Sequence, residues 1–181
     1  MSKGPAPSFR VLGVDPGLTA TGYGVIEVKV SRMAVVESGT IRSGRGDLGE
    51  RLHRINSGLR DVIARCEPSS SAFEEIFHHK NARSALMLGH ARGAAILAAG
   101  SVGLPVFEYS ALQVKQAVVG YGRAEKAQVQ KMLPHLVTIT TAPDSADAAD
   151  ALAVAYCHTG HCGALSGGKT TLPAGTRRGR R

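Results

Sequence analysis

The chain has 181 residues, 43% of them hydrophobic, and a formal net charge of +8. This size and composition predict one compact domain with its own core. No apolar run reaches the roughly 20 residues of a membrane-spanning helix. Residues 1–8 lack the apolar segment of a signal peptide, and three sparse cysteines argue against a disulfide framework. We therefore expect a cytoplasmic protein that has no membrane partner.

The positive charge is concentrated near the C-terminal end. Residues 166–181 contain five of the 22 basic residues and no acidic one, which leaves 17 basic and 14 acidic residues elsewhere. The Gly, Ser, Thr and Pro content of this segment predicts a disordered arm, which either attracts nucleic-acid phosphates or only aids solubility. We expect a disordered N-terminus over residues 1–8, one domain over residues 9–163 and a basic tail over residues 164–181.

The apolar pattern predicts an alternation of strands and helices. Three β-rich segments come first and are typical of a hairpin meander: residues 10–15, 23–30 and 33–41. They are followed by an amphipathic helix (47–66), a strand (71–77), a helix rich in small residues (81–99), a strand (104–109) and three helices (110–119, 125–133 and 145–159). This order predicts an α/β fold in which the first three strands are antiparallel and the later strands parallel.

Four acidic residues occupy positions where a charge is costly to bury. Asp15 ends an apolar strand, and Glu74 interrupts the apolar segment "AFEEIF". Glu75 must face the other side of the sheet, because strand side chains alternate. Asp147 and Asp150 are three residues apart at the start of the last helix, so they share one helical face.

If the first and fourth strands are neighbours, these carboxylates converge beneath the last helix. Such a cluster cannot stay fully ionised by itself, so either its pKa values rise or cations neutralise it. Oxygen ligands favour Mg²⁺ or Mn²⁺, and two such ions about 3.5–4 Å apart support phosphodiester hydrolysis. The alternative is that acids at a helix start only interact with the helix dipole. Asp144 is the expected N-cap of this helix, and Ser145 is the alternative.

Several separated segments resemble the RuvC family of bacterial Holliday-junction resolvases: "GVDPGLTATGYGV", "FEEIF", "KNARSALMLGHARG", "LPVFEYSALQVKQAVVGYGRAEKAQVQ" and "DAADALAVA". The resemblance extends in order over about residues 10–160. It implies an RNase H-like fold with a mixed five-stranded sheet and helices on both faces. It further implies a homodimer that cuts two phosphodiesters of a four-way DNA junction with two Mg²⁺ or Mn²⁺ ions per site, and a branch-migration helicase complex of the RuvA and RuvB type as partner.

The resemblance also assigns roles to individual residues. The family's catalytic and metal-binding acids fall on Asp15, Glu74, Asp147 and Asp150. Lys115 and Lys126 fall on basic positions beside the catalytic groove, where they would contact DNA phosphates. Phe77 falls on an aromatic position that stacks on an unpaired base. Taken alone, a lysine is more often simply solvated and an aromatic residue at a strand end more often belongs to the core.

The helix over residues 81–99 carries small residues at steps of four, namely Ala85, Gly89 and Gly93. Because glycine inside a helix costs about 1 kcal/mol relative to alanine, these glycines call for a packing partner. The partner is either the same helix in a twofold dimer, as the resemblance implies, or the protein's own sheet.

Two motifs favour other interpretations. The segment "CHTGHC" (157–162) contains zinc-ligand residue types, but their spacing is too compressed for the usual paired zinc ligands. The segment "DPGLTATGYG" is similar to a phosphate-binding turn of actin-like kinases and ATPases, which need a second lobe that this chain has no room for. A nuclease acting on another nucleic acid, such as a ribosomal RNA precursor, and a noncatalytic junction-binding module remain open as alternatives.

Overall fold

The computed structural model describes residues 8–30, 32–75 and 81–166, with residues 162–166 described as helix backbone only. The elements follow the predicted order of strands and helices. Their bounds are β1 Phe9–Asp15, β2 Ala20–Lys29, β3 Arg32–Arg42, α1 Leu48–Cys66, β4 Ser70–Glu74, α2 Ala82–Gly100, β5 Val106–Tyr109, α3 Ala111–Val119, α4 Lys126–Leu136 and α5 Ala146–Ser166.

The strands form one mixed five-stranded sheet in the order β3-β2-β1-β4-β5. The pairs β1–β2 and β2–β3 are antiparallel, whereas β1–β4 and β4–β5 are parallel. The predicted meander, the parallel second half and the adjacency of the first and fourth strands are therefore confirmed. A parallel pair of neighbouring strands ends at the same edge of the sheet, and this places the ends of β1 and β4 side by side.

Helices cover both faces of the sheet. One core lies between the sheet and helices α3, α4 and α5, and it includes Val11 and Ala72 of the strands. The other core lies between the sheet and helices α1 and α2, and it includes Leu12 and Phe73. Because strand side chains alternate, the odd-numbered residues of β1 and the even-numbered residues of β4 face α5.

Glycines allow α5 to approach the sheet very closely. A Cβ atom on Gly13 would lie 2.1 Å from the carbonyl oxygen of Ala151, and one on Gly22 would lie 2.0 Å from the carbonyl oxygen of Asp147. Both glycines therefore meet helix backbone, which cannot move aside as a flexible side chain can. The sheet thereby fixes the position of the first turns of α5.

A buried histidine ties α5 to the parallel strands below it. His158 Nδ1 lies 2.7 Å from the Tyr109 hydroxyl, and His158 Nε2 lies 3.0 Å from the Ser70 hydroxyl. Burial lowers the pKa of His158 to about 4, so the ring is neutral at physiological pH. This structural role accounts for one histidine of the "CHTGHC" segment. In the part of the chain that the structure describes, no helix is long and apolar enough to cross a membrane.

Several predicted boundaries were wrong. β4 ends at Glu74 and does not extend to residue 77 as a described strand, while β5 begins at Val106 and not at residue 104. α4 continues through Pro134 to Leu136, and the backbone of α5 stays helical to Ser166, into the predicted tail. Residues 1–7 and 167–181, nearly all of the predicted termini, lie outside the described residues, so the predicted division of the chain stays a prediction.

Candidate active site

Two of the four predicted acids lie side by side at one end of the sheet. The parallel register pairs Val14 with Phe73, so the next residue of each strand is an acid, Asp15 on β1 and Glu74 on β4. Both side chains belong to the set of strand positions that face α5. Glu75 follows the end of β4, and its backbone N–H donates to the Tyr109 carbonyl oxygen at 2.8 Å.

The other two acids are brought to the same edge by the start of α5. Asp147 lies in the first turn of this helix, and its backbone contacts Gly22, the residue that pairs with Asp15 across β1 and β2. Asp150 lies one turn further along on the same helical face. The Ser145 hydroxyl accepts from the Ala148 N–H at 3.0 Å. Ser145 is therefore the N-cap.

Asp144 was the expected cap, and that expectation was wrong because this side chain has another partner. Its carboxylate accepts a hydrogen bond from the Thr40 hydroxyl on β3 at 3.1 Å. The same Thr40 hydroxyl also contacts the Ser145 hydroxyl. The end of β3 therefore anchors the beginning of the helix that carries Asp147 and Asp150.

The acids interact electrostatically. The pKa of Asp15 is raised to about 7, first by burial and then by the charges of Asp150 and Glu74, with a smaller contribution from Asp147. The pKa of Glu74 is also raised, chiefly by burial. Because burial is the first cause of both shifts and neighbouring carboxylates add to it, the ionised form of these acids is costly at this edge. A cation bound here would relieve that condition.

Two lysines provide the positive charge next to the acids. Lys126, the first residue of α4, lies 2.7 Å from an Asp150 carboxylate oxygen, and this hydrogen bond raises the lysine's pKa. Lys115 of α3 lines the same narrow cleft as Glu74 and Asp150. Both lysines partly oppose the rise in the pKa of Glu74. The structure thus brings both predicted lysines to the acids.

The donor set fits a hard divalent cation in its chemistry, because it consists of carboxylate oxygens at a half-buried, negatively charged edge. Within residues 8–30, 32–75 and 81–161, however, no three Asp, Glu, His or Cys side chains are close enough together to hold one ion. Asp150 is instead paired with the Lys126 ammonium group. A shared metal centre requires the carboxylates to turn toward one another, and it stays a prediction.

A model of the family described as Crossover junction endodeoxyribonuclease RuvC matches residues 11–158. The chain belongs to the RuvC family. The RuvC protein of Magnetococcus marinus is 53% identical over 154 residues, which cover 84% of this chain and 85% of that protein. The RuvC protein of Shewanella amazonensis is 55% identical over 148 residues, which cover 82% of this chain and 85% of that protein.

Comparison with a solved structure shows that the fold is also that of RuvC. The structure titled "T. thermophilus RuvC in complex with Holliday junction substrate" superposes with a TM-score of 0.79 at 34% identity, covering 85% of this chain and 94% of that chain. The family and the RNase H-like fold expected from the sequence are therefore confirmed. RuvC proteins are endodeoxyribonucleases by name, and the family implies dependence on a divalent metal.

One predicted residue of the candidate site is not described by the structure, and one residue near the acids was not predicted. Phe77, the predicted stacking residue, lies outside the described residues. Gln130 of α4 was not anticipated, although its side-chain amide donates to the second Asp150 oxygen at 3.4 Å. It lies four residues after Lys126, on the same helical face, and this spacing could have indicated it.

The close approach of sheet and helix in this RuvC site leads to a first prediction. Gly22→Ala should displace the start of α5, because its Cβ would lie 2.0 Å from the Asp147 carbonyl oxygen. We expect a loss of about 3 kcal/mol of unfolding free energy and a strong loss of cleavage, measured by thermal melting and a nicking assay. Gly160→Ala is the control, since nothing in the part of the chain that the structure describes lies within 4 Å of its added Cβ. Equal behaviour of the two variants would contradict the prediction.

Proposed function

We propose that this protein is a structure-selective endonuclease that resolves four-way DNA junctions by hydrolysing two symmetry-related phosphodiesters during recombination and repair. The observation that carries the proposal is that Asp15, Glu74 and Asp150 lie near one sheet edge, where the charge of Asp150 raises the pKa values of the other two, in a chain of the RuvC family. The structure of Thermus thermophilus RuvC in complex with a Holliday junction substrate supports the choice of DNA.

Asp15, Glu74, Asp147 and Asp150 are the proposed ligands of two Mg²⁺ or Mn²⁺ ions. Such ions, when bound, supply an activated water and stabilise the leaving oxygen of the phosphodiester. The protein's own contribution is to position the backbone that carries the four acids: β1 and β4 position Asp15 and Glu74, and the close packing of α5 on Gly13 and Gly22 positions the other two. Because burial makes the ionised form of Asp15 costly, a cation bound at this edge is favoured.

Lys126 and Lys115 are proposed to contact the DNA backbone. Lys126 is paired with Asp150, and its ammonium group would be free to contact a neighbouring phosphate if Asp150 served as a metal ligand. Lys115 lines the same cleft beside Glu74 and is placed to do likewise. Ammonium groups at this position would offset the charge that develops on the reacting phosphate.

We further propose a homodimer formed through α2. Gly89 and Gly93 lie on its outer face, and no atom of the described residues lies within 4 Å of an added Cβ on either, so this face does not pack against the protein's own sheet. The same face exposes Leu86 to 57% and Leu97 to 62%. A second copy that buried these side chains would place one acidic edge on each side of a twofold axis, matching a four-way junction.

The dimer gives a second prediction. Leu97→Glu should convert the dimer to a monomer, because a carboxylate would be buried at the interface. Light scattering measures the change in molar mass. Val30→Glu is the matched control, since Val30 is an apolar residue that is 78% exposed and lies between β2 and β3, outside α2. If Leu97→Glu stayed dimeric, or if the unmodified protein were a monomer, this part of the proposal would fail.

Incubation with synthetic substrates tests the activity itself. The protein should nick a four-way junction symmetrically when Mg²⁺ or Mn²⁺ is present, and it should leave linear duplex, RNA and ATP unchanged. Cleavage of structured RNA instead would favour a nuclease for ribosomal RNA precursors. Junction binding without any cleavage would favour a noncatalytic module. A helicase complex of the RuvA and RuvB type as partner and a cytoplasmic location remain predictions.

A further inference from the structure

The sheet end that carries the acids also carries arginines, on the β3 side of Asp15. Arg42 is the last residue of β3 and pairs with Ala20 at the start of β2. Arg45 follows in the loop between β3 and α1, which spans residues 43–47. This loop contacts the segment that follows Asp15, since the Ser43 N–H donates to the Thr19 carbonyl oxygen at 3.2 Å. The arginines therefore belong to the same surface as the acids.

Two arginines of α1 hold this surface together. Arg51 donates to the Ser43 hydroxyl and the Leu18 carbonyl oxygen, both at 3.1 Å. Arg54 donates to the carbonyl oxygens of Ser43 at 2.7 Å and of Arg45 at 2.6 Å. These guanidinium groups are engaged by the protein's own backbone. Their role is to fix the loop.

Arg42 and Arg45 differ from these two arginines. Both are exposed, and neither side chain makes a hydrogen bond or an ion pair within the described part of the chain. The nearest acids in sequence are already engaged: Asp47 accepts from the Glu50 N–H at 2.9 Å as the N-cap of α1, and Glu50 pairs with Arg54. Two cations are therefore presented to solvent without counterions.

We propose that Arg42 and Arg45 form a second phosphate-binding surface, on the side of the acids opposite Lys115 and Lys126. This inference rests on the proposed function, because it assigns the surface to the backbone of one junction arm. Adjacent strands lie about 4.8 Å apart, so the end of β3 lies roughly 10 Å from that of β1. Phosphates of one DNA strand follow each other about every 3.4 Å along the axis. The arginines thus meet the backbone roughly three nucleotides from the cut.

The rigidity of the loop favours binding. Gly44 and Gly46 have φ values of +67° and +136°, which residues with a side chain rarely adopt. The glycines allow the loop to adopt this shape, and the two carbonyl contacts of Arg54 hold its backbone at Arg45 before DNA binds. Less conformational entropy is then lost on binding than in a mobile loop. The two arginines are suited to contact phosphates at a fixed position. They are not expected to read the DNA sequence, because phosphate contacts carry no base information.

The test is junction binding as a function of salt, measured in EDTA so that no cutting occurs. The double variant Arg42→Ala/Arg45→Ala should bind a four-way junction at least about tenfold more weakly at 150 mM salt. The slope of log affinity against log salt should fall by about two, close to 0.9 per lost phosphate contact. Lysine at both positions should restore most of the affinity, since a phosphate contact needs the charge more than the shape of the side chain.

Arg32→Ala is the matched control. Arg32 is an exposed arginine on the same strand, at its other end, about 33 Å from Arg42 by the rise per residue. This variant should keep the affinity and the slope of the unmodified protein.

The outcomes separate this inference from the proposed function. If the unmodified protein cuts junctions and the double variant binds them with unchanged affinity and slope, the second phosphate surface is wrong. If the control Arg32→Ala loses as much affinity, the loss reflects net charge, and the inference is again wrong. If the unmodified protein does not cut junctions with Mg²⁺ or Mn²⁺, the proposed function fails whatever the arginine variants do.

Discussion

Asp150→Asn should abolish cleavage of four-way junctions while it leaves junction affinity nearly unchanged. Asp150 is a proposed ligand of the divalent ions, and such ions provide several kcal/mol of transition-state stabilisation. A loss of this size corresponds to a rate reduction of roughly a thousandfold or more. Affinity should survive, because it depends mainly on contacts between basic side chains and phosphates. Single-turnover cutting and a binding titration in EDTA measure the two quantities separately.

The effect of Asp150→Asn on Lys126 needs its own control. The Asp150 carboxylate accepts from Lys126 Nζ at 2.7 Å, so the substitution also frees an ammonium group. Lys126→Gln should weaken cutting less than Asp150→Asn does, because a lysine that offsets charge is less critical than a metal ligand. If Asp150→Asn lost affinity in proportion to its loss of cutting, the assignment of Asp150 to catalysis would be contradicted.

Asp15→Asn should raise the stability of the metal-free protein at pH 8. The folded-state pKa of Asp15 is about 7 against an ordinary value of 3.8, so the folded protein holds this proton more tightly than the unfolded chain does. Stability is therefore lost as pH rises from about 4 to about 7, and the full cost is present above 7. Asparagine has no charge to bury, so the melting temperature at pH 8 should rise by about 5 °C.

Divalent cations should have the complementary effect on the same measurement. Mg²⁺ or Mn²⁺ should raise the melting temperature of the unmodified protein more at pH 8 than at pH 5, because protons compete for the same carboxylates. Asp15→Asn should gain much less from either ion. An unchanged response of Asp15→Asn to metal would remove Asp15 from the ligand set, and a stabilisation that was larger at pH 5 would contradict the raised pKa.

The layout of the fold could be predicted because it rests on local patterns. Alternating apolar residues in β1 and the amphipathic stripe of α1 are visible in any short window of sequence. The adjacency of β1 and β4 was less certain, yet it follows once three antiparallel strands precede a helical crossover. The position of Asp15 and Glu74 at one edge is a direct consequence of that topology.

Other parts of the site depend on contacts between distant residues. The expectation that Asp144 caps α5 was wrong because Thr40, 104 residues earlier, takes its carboxylate. A glycine such as Gly22 looks like an ordinary strand glycine until α5 is known to lie against it. Strand and helix ends were displaced for the same reason: the last residues of an element are decided by tertiary packing more than by propensity.

The central claim is that the four carboxylates at the end of β1, β4 and the start of α5 hold divalent ions beside a DNA phosphate. A crystal grown with Mn²⁺ tests it most directly, because anomalous scattering locates the ions without reference to the protein model. We predict two peaks about 3.5–4 Å apart, within coordination distance of Asp15, Glu74, Asp147 and Asp150, with Lys126 turned away from Asp150. Peaks elsewhere, or the acids still apart with Lys126 bound to Asp150 at saturating Mn²⁺, would contradict the claim.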